Sequence, residues 1–294
     1  MIFYKKFFKM LLLSLLGIYS LAKGEDSRCY PLKIGDNGWS ARVENSGAYC
    51  ATADITQSVP LTGFLLPHQP VPRSPLLNIA QSNVSIDLAG HTFRAKQPSG
   101  RGLWLNGSGE IWIQNARVFN GTIRTEKNPA VFMVYAWNNR SERFKNTSLA
   151  NSVAIADNIN DYKNTSFVLE DLLIEASDIA VVMQGKKNII RRCKIIGGNS
   201  TVNLYGPGLI FEDNEIILNA SETKADGEAP VALYLEDADG SIVRNNRFTI
   251  RGRAAGSEAI VIKKSANVAL QGNSVNGGKQ TFKLLDQASS VKVE

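Results

Sequence analysis

The 294-residue chain has only two histidines, three cysteines and four methionines. So few scattered ligands cannot make a Cys/His metal site, and no cofactor is implied by any other grouping. His91 sits in a Gly-His-Thr turn and His68 between Pro67 and Gln69. Neither lies beside a Ser or Cys arrangement suited to a nucleophilic triad. Long apolar runs are lacking too. The run at 10–18 is well short of the roughly 20 residues a bilayer-spanning helix needs, so no membrane span is expected. Basic clusters are also missing, which argues against a nucleic-acid partner.

Lys5, Lys6 and Lys9 precede the short apolar run, and Ser20-Leu21-Ala22 follows it as a small-x-small cleavage site. This pattern predicts an export signal over 1–22 and a secreted or periplasmic protein. The three leader lysines account for half of the net charge of +6. In an oxidising compartment Cys29 and Cys50, close in sequence, are expected to form a disulfide. Cys193 falls inside a repeated pattern and is expected to be a buried thiol. A Pro-rich stretch at 59–75 sets off an N-terminal cap and opening segment, 23–75, from the remainder, 76–294.

That remainder is repetitive. Six segments align without gaps as apolar, two polar, one small or amide, one polar, apolar. They begin at Ile113, Leu169, Ile190, Phe211, Val243 and Leu270, with Ile86 and Val293 extending the first column. Steps of 21, 27 and 32 residues describe a fixed coil carrying loops of different length. A second short strand precedes most rows, around Trp104, Val182, Asn203, Tyr234, Val261 and Lys283. Period-two alternation, with Gly, Asn, Asp and Ser at the corners, excludes a helical repeat and predicts an all-β parallel β-helix, a β-solenoid with a short disulfide-linked N-terminal cap. Stacking such coils would place unlike charges side by side: Glu170, Arg191, Glu212, Arg244 in one column and Lys194, Glu215, Arg247 in another. A further column holds Asn214, Asn246 and Asn273, with Cys193 beside them, as an inward amide ladder.

The segment from Ser82 to Phe93, with Phe119-Asn-Gly-Thr-Ile-Arg124 after it, resembles the opening coils of secreted right-handed parallel β-helix proteins of the pectin-lyase-like fold. Gly47-Ala-Tyr-Cys-Ala-Thr-Ala-Asp-Ile55 is similar to the first strand of that group. The resemblance implies a fold more than an activity, because the group spans lyases, hydrolases, epimerases and binders.

In enzymes of this fold, substrate lies along an outward strand face beside long loops. With Leu105, Leu204, Leu235 and Ile262 inward, two columns should point out: Trp104, Asn203, Tyr234, Val261, and Asn106, Tyr205, Glu236, Lys263. Aromatic rings among amides and charges suit sugars, so Trp104, Asn203, Tyr205, Tyr234, Glu236 and Lys263 are the expected glycan-binding residues. A long loop over 136–164 should flank this face, with room for a coil plus a loop or for two coils. It offers Arg143, Lys145, Tyr162 and Lys163 as candidates for lyase chemistry, without a recognisable spacing. Glu236, Asp237 and Asp239 cluster at one corner, where Asp-Ala-Asp-Gly reads as a tight turn with at most two Ca²⁺ ligands in view. The expected partner is a polysaccharide or surface glycan, engaged without an evident catalytic set. The competing readings are a polysaccharide lyase and a structural rod.

Overall fold

A computed structural model describes residues 29–35, 40–57, 75–96, 100–105, 112–126, 129–134, 159–198, 200–220, 229–252, 257–278 and 280–294. The leader, most of the Pro-rich stretch with His68, Asn106, Arg143, Lys145 and the greater part of the 136–164 loop lie outside them.

Short strands stack into two sheets, one of nine strands and one of 16, and neighbours within each sheet pair in parallel. Each coil contributes one strand to the nine-stranded sheet; to the larger one most contribute two, separated by a sharp corner, which run on as a single strand in Ala116–Arg124 and Val168–Glu175. Those corners follow from local chemistry. Asp171, Arg192, Asp213, Asn245 and Gly272 all adopt left-handed backbone, φ 52–57°, and turn the chain between the two ranks. For residues other than glycine this conformation costs about 1–2 kcal/mol. An inward amide ladder at the next position offsets it. The Asn214 side chain donates to Asn246 Oδ1 at 3.0 Å, and the Asn246 side chain donates to Asn273 Oδ1 at 2.9 Å. Cys193 begins the ladder by donating its backbone N–H to Asn214 Oδ1.

Inside the coil, Ile86, Val118, Leu169, Ile190, Phe211, Val243 and Leu270 form one continuous buried column. Leu103, Val131, Val181, Val202, Leu233 and Ile260 form the facing one. Each such side chain contributes about 1.5–3 kcal/mol by leaving water. Val118, not Ile113, stands beside Leu169, so the first row of the sequence alignment is five residues out of register. Ala116–Arg124 pairs directly with Val168–Glu175, and Val131–Met133 with Val181–Gln184, so the coils on either side of the long insertion are adjacent in the stack.

Cys29 and Cys50 are joined, tying the edge strand Tyr30–Pro31 to its neighbour Gly47–Cys50. Strands Ala41–Val43 and Gly47–Cys50 already pair with the two sheets, so the coil stack begins ahead of residue 76. Among the described residues no helix is long and apolar enough to cross a membrane.

Candidate functional site: the outer face of the nine-stranded sheet

Alternation along each strand turns every second side chain outward, and the parallel register aligns those side chains across coils. One outward column runs Asn78, Trp104, Phe132, Val182, Asn203, Tyr234, Val261, Lys283. The next runs Gln184, Tyr205, Glu236, Lys263. The six residues expected to bind glycan therefore share one face. Phe132, Val182 and Gln184 belong to it as well. They were missed because the rows were aligned on the opposite sheet, although Val131-Phe-Met133 carries the same alternation.

The face is not open along its length. Asn203, Tyr205, Tyr234 and Glu236 are at most 2% exposed, while Trp104 and Lys263 are half-buried. Tyr162, with half-buried Ile159, joins Phe132, Val182, Tyr205, Tyr234 and Val261 in a second apolar cluster outside the coil. Aromatic columns that would suit sugar rings also suit the chain's own return from the insertion. Strand alternation tells which way a side chain points, not what covers it. Trp104 stacks on Phe132 with ring centroids 4.0 Å apart, and the Arg101 guanidinium lies 4.0 Å from the Trp104 ring.

Asn203 and Glu236, buried on this face, are held by partners. Ser200 Oγ donates to Asn203 Oδ1 at 2.8 Å, and the Asn203 amide returns a bond to the Ser200 carbonyl. The Tyr234 hydroxyl donates to Glu236 Oε2 at 2.9 Å, and Lys263 Nζ lies 3.1 Å from the other carboxylate oxygen. A buried carboxylate with both a hydroxyl and an ammonium avoids the penalty of an unpaired buried charge.

The strands end on a column of left-handed residues, Gly185, Gly206, Asp237 and Lys264, at φ 122°, 111°, 54° and 46°. The missing side chain at Gly206 makes room for Tyr162, since a Cβ there would lie 3.0 Å from Tyr162 Cδ1. The Tyr162 ring crosses that gap, and its hydroxyl donates to Asp237 Oδ2 at 2.8 Å in the next coil. Burial pushes the Asp237 carboxyl above its ordinary 3.8. Neighbouring Glu236 and Asp239 push the same way, and the Tyr162 hydroxyl opposes them only in part. Asp239 is spent on the turn, accepting from the Ala266 N–H at 2.7 Å. Among the described residues no group of three His, Cys, Asp or Glu is placed to hold a metal ion.

Of the four catalytic candidates, Tyr162 is thus a buried clasp, and Lys163 lies 4.8 Å from the Trp112 ring centroid. Arg143 and Lys145 are outside the described residues. His91 faces Asp54 at 3.1 Å on the opposite sheet. Cys193 is buried, and loss of water pushes its thiol up to about 12.

Parallel coils, an inward amide ladder and a strand face covered in part by Tyr162 and Ile159 define a β-solenoid. A family model described as "Right handed beta helix region" matches residues 132–294, and the chain belongs to that family. Comparison with curated proteins and with solved structures returned no match.

Proposed function

We propose that the chain is an exported β-helix protein that engages polysaccharide along the outer face of its nine-stranded sheet. The observation behind this reading is the in-register pair of outward columns, in which aromatic rings, amides and an ion pair recur at the spacing of successive coils. A linear polymer can lie along such a repeat, with an apolar ring face on Trp104 and hydroxyls on Lys263. Trp104 and Lys263 are the half-buried residues that glycan reaches. Asn203, Tyr205, Tyr234 and Glu236 act beneath them as the bonded support that fixes the surface. The test is a glycan array probed with the protein beginning at residue 23. Retention by at least one polysaccharide class is expected, and none at all would leave the structural rod.

Asp237 favours a second reading. A desolvated carboxyl raised above its ordinary range and held by a tyrosine is shifted in the direction a general acid needs. In that case the protein cleaves the glycan it binds, and Asp237→Asn abolishes new reducing or unsaturated ends while binding persists. Absence of any new chain ends with wild-type protein on a bound polysaccharide would discard this version.

A further inference from the structure

Charges that face each other across neighbouring strands alternate in sign almost everywhere: Glu170 with Arg191, Glu212 with Arg244, Glu215 with both Lys194 and Arg247, and Glu236 with Lys263. Among the described strands one pair breaks the pattern. Arg94 and Arg124 stand directly opposite each other in register on the larger sheet. Like charges so placed are destabilising, and a departure from an otherwise consistent rule points to function rather than stability. Arg124 meets Glu175 of the following coil at 3.0 Å. Arg94 is exposed and has no ion-pair or hydrogen-bond partner among the described residues.

Both arginines line an open groove of about 680 Å³ that also touches Ser177, Ile196 and Asn219. It crosses strands Thr92–Ala95, Ala116–Arg124, Val168–Glu175, Lys194–Gly197 and Glu215–Ala220, and so runs along the coil axis. At the usual strand separation that is roughly 19 Å of continuous track. Its chemistry is graded. The unmatched cation stands at one end, exposed Ser177 and Asn219 bring a hydroxyl and an amide, and half-buried Ile196 offers an apolar patch. Two acids also line it: half-buried Glu175, paired with Arg124, and exposed Glu126 in the Arg124 coil, so Arg94 is the cation left over.

We propose that this groove is a separate binding site for an acidic polysaccharide, with a carboxylate or sulfate seated between Arg94 and Arg124. The bound anion supplies the missing negative charge in the column. Sugar hydroxyls meet Ser177 and Asn219, and a ring face covers Ile196.

The experiment is affinity electrophoresis in gels containing polygalacturonate, dextran sulfate or neutral dextran. Wild-type protein should be retarded by one or both polyanions and not by neutral dextran, and the polyanion that retards it identifies carboxylate or sulfate as the preferred group. Arg94→Glu should weaken that retardation at least tenfold while leaving the thermal midpoint equal or higher, because it replaces a like-charge pair with an opposite one. Arg94→Ala, which removes an unpaired exposed side chain, should give an intermediate loss. Lys33→Glu, the same charge change at an exposed position of the N-terminal cap, should alter retardation less than twofold. Wild-type mobility unaffected by both polyanions would overturn the proposal. So would wild-type retardation of Arg94→Glu, or an equal loss in Lys33→Glu. A loss in Lys263→Ala with none in Arg94→Glu would place the retardation on the nine-stranded face and overturn the groove as well.

Discussion

Glu170 shows how single residues hold the coil stack. Its carboxylate has no exposed side-chain surface and is surrounded by Arg117, Arg191 and Arg192. Burial alone would raise its pKa, but the arginines outweigh burial and hold it below its ordinary 4.5. A depressed carboxyl contributes stability above its unfolded pKa, and that stability is lost as pH falls through the folded value. Thermal midpoints followed from pH 5 down to pH 3 should therefore fall for the wild type. Glu170→Gln should start lower by about 1–3 kcal/mol and fall less steeply over that window. Arg191 pairs with Glu170, while Glu212 is taken by Arg244, so a double-mutant cycle should couple Arg191 to Glu170 more strongly than to Glu212. Asn246 carries a heavier load. It accepts from the Asn214 N–H and side chain, and its own amide donates to Phe211 O and Asn273. Asn246→Leu should cost about 1–3 kcal/mol in denaturant unfolding, because each of those backbone groups stays buried without its partner.

At the scale of strands and corners, the clasp between Tyr162 and the column of Gly185, Gly206 and Asp237 fixes the face. Gly206→Ala demands a positive φ from a residue with a Cβ and presses on both the Gly185 carbonyl and the Tyr162 ring. It should lower stability by about 1–3 kcal/mol by calorimetry. Asp237→Asn should do the reverse. A raised carboxyl pKa means the folded chain disfavours the charged form, so that penalty grows as pH rises past the unfolded value and disappears in the amide, which still accepts from Tyr162. A higher thermal midpoint at pH 7 than at pH 4, relative to wild type, is the expected signature. The strands themselves were legible because period-two alternation and the charge columns both depend on register. One row was misread because Ile113 and Val118 are spaced like Val118 and Ile123, and apolar spacing alone cannot choose between the two frames. Both frames carry a left-handed asparagine two positions on, Asn115 at φ 53° and Asn120 at φ 58°, and only the pairing of Val118 with Ile86 and Leu169 makes the choice. Coverage of Tyr205 and Tyr234 was not legible, since it depends on where a long insertion returns. Arg94 opposite Arg124 was overlooked because both lie beyond the six-residue window in which the rows were compared.

The whole molecule is a stack whose coils touch mainly their neighbours, so its ends need separate reinforcement. At the N-terminal end the Cys29–Cys50 bridge ties the outermost strand to the next. Cys29→Ser should cost about 2–4 kcal/mol, and mass mapping without reduction should find that bridge intact with Cys193 unmodified until the chain unfolds. Along its length the stack repeats one outward face at each coil, and that repetition is the basis for assigning it to a polymer. The decisive measurement is affinity electrophoresis of the wild type and a Trp104→Ala/Lys263→Ala double variant against the polysaccharide selected on the array. A glycan-bearing face predicts at least a tenfold weaker retention by the double variant, with circular dichroism and thermal midpoint close to wild type. Undiminished retention by a folded double variant would contradict it.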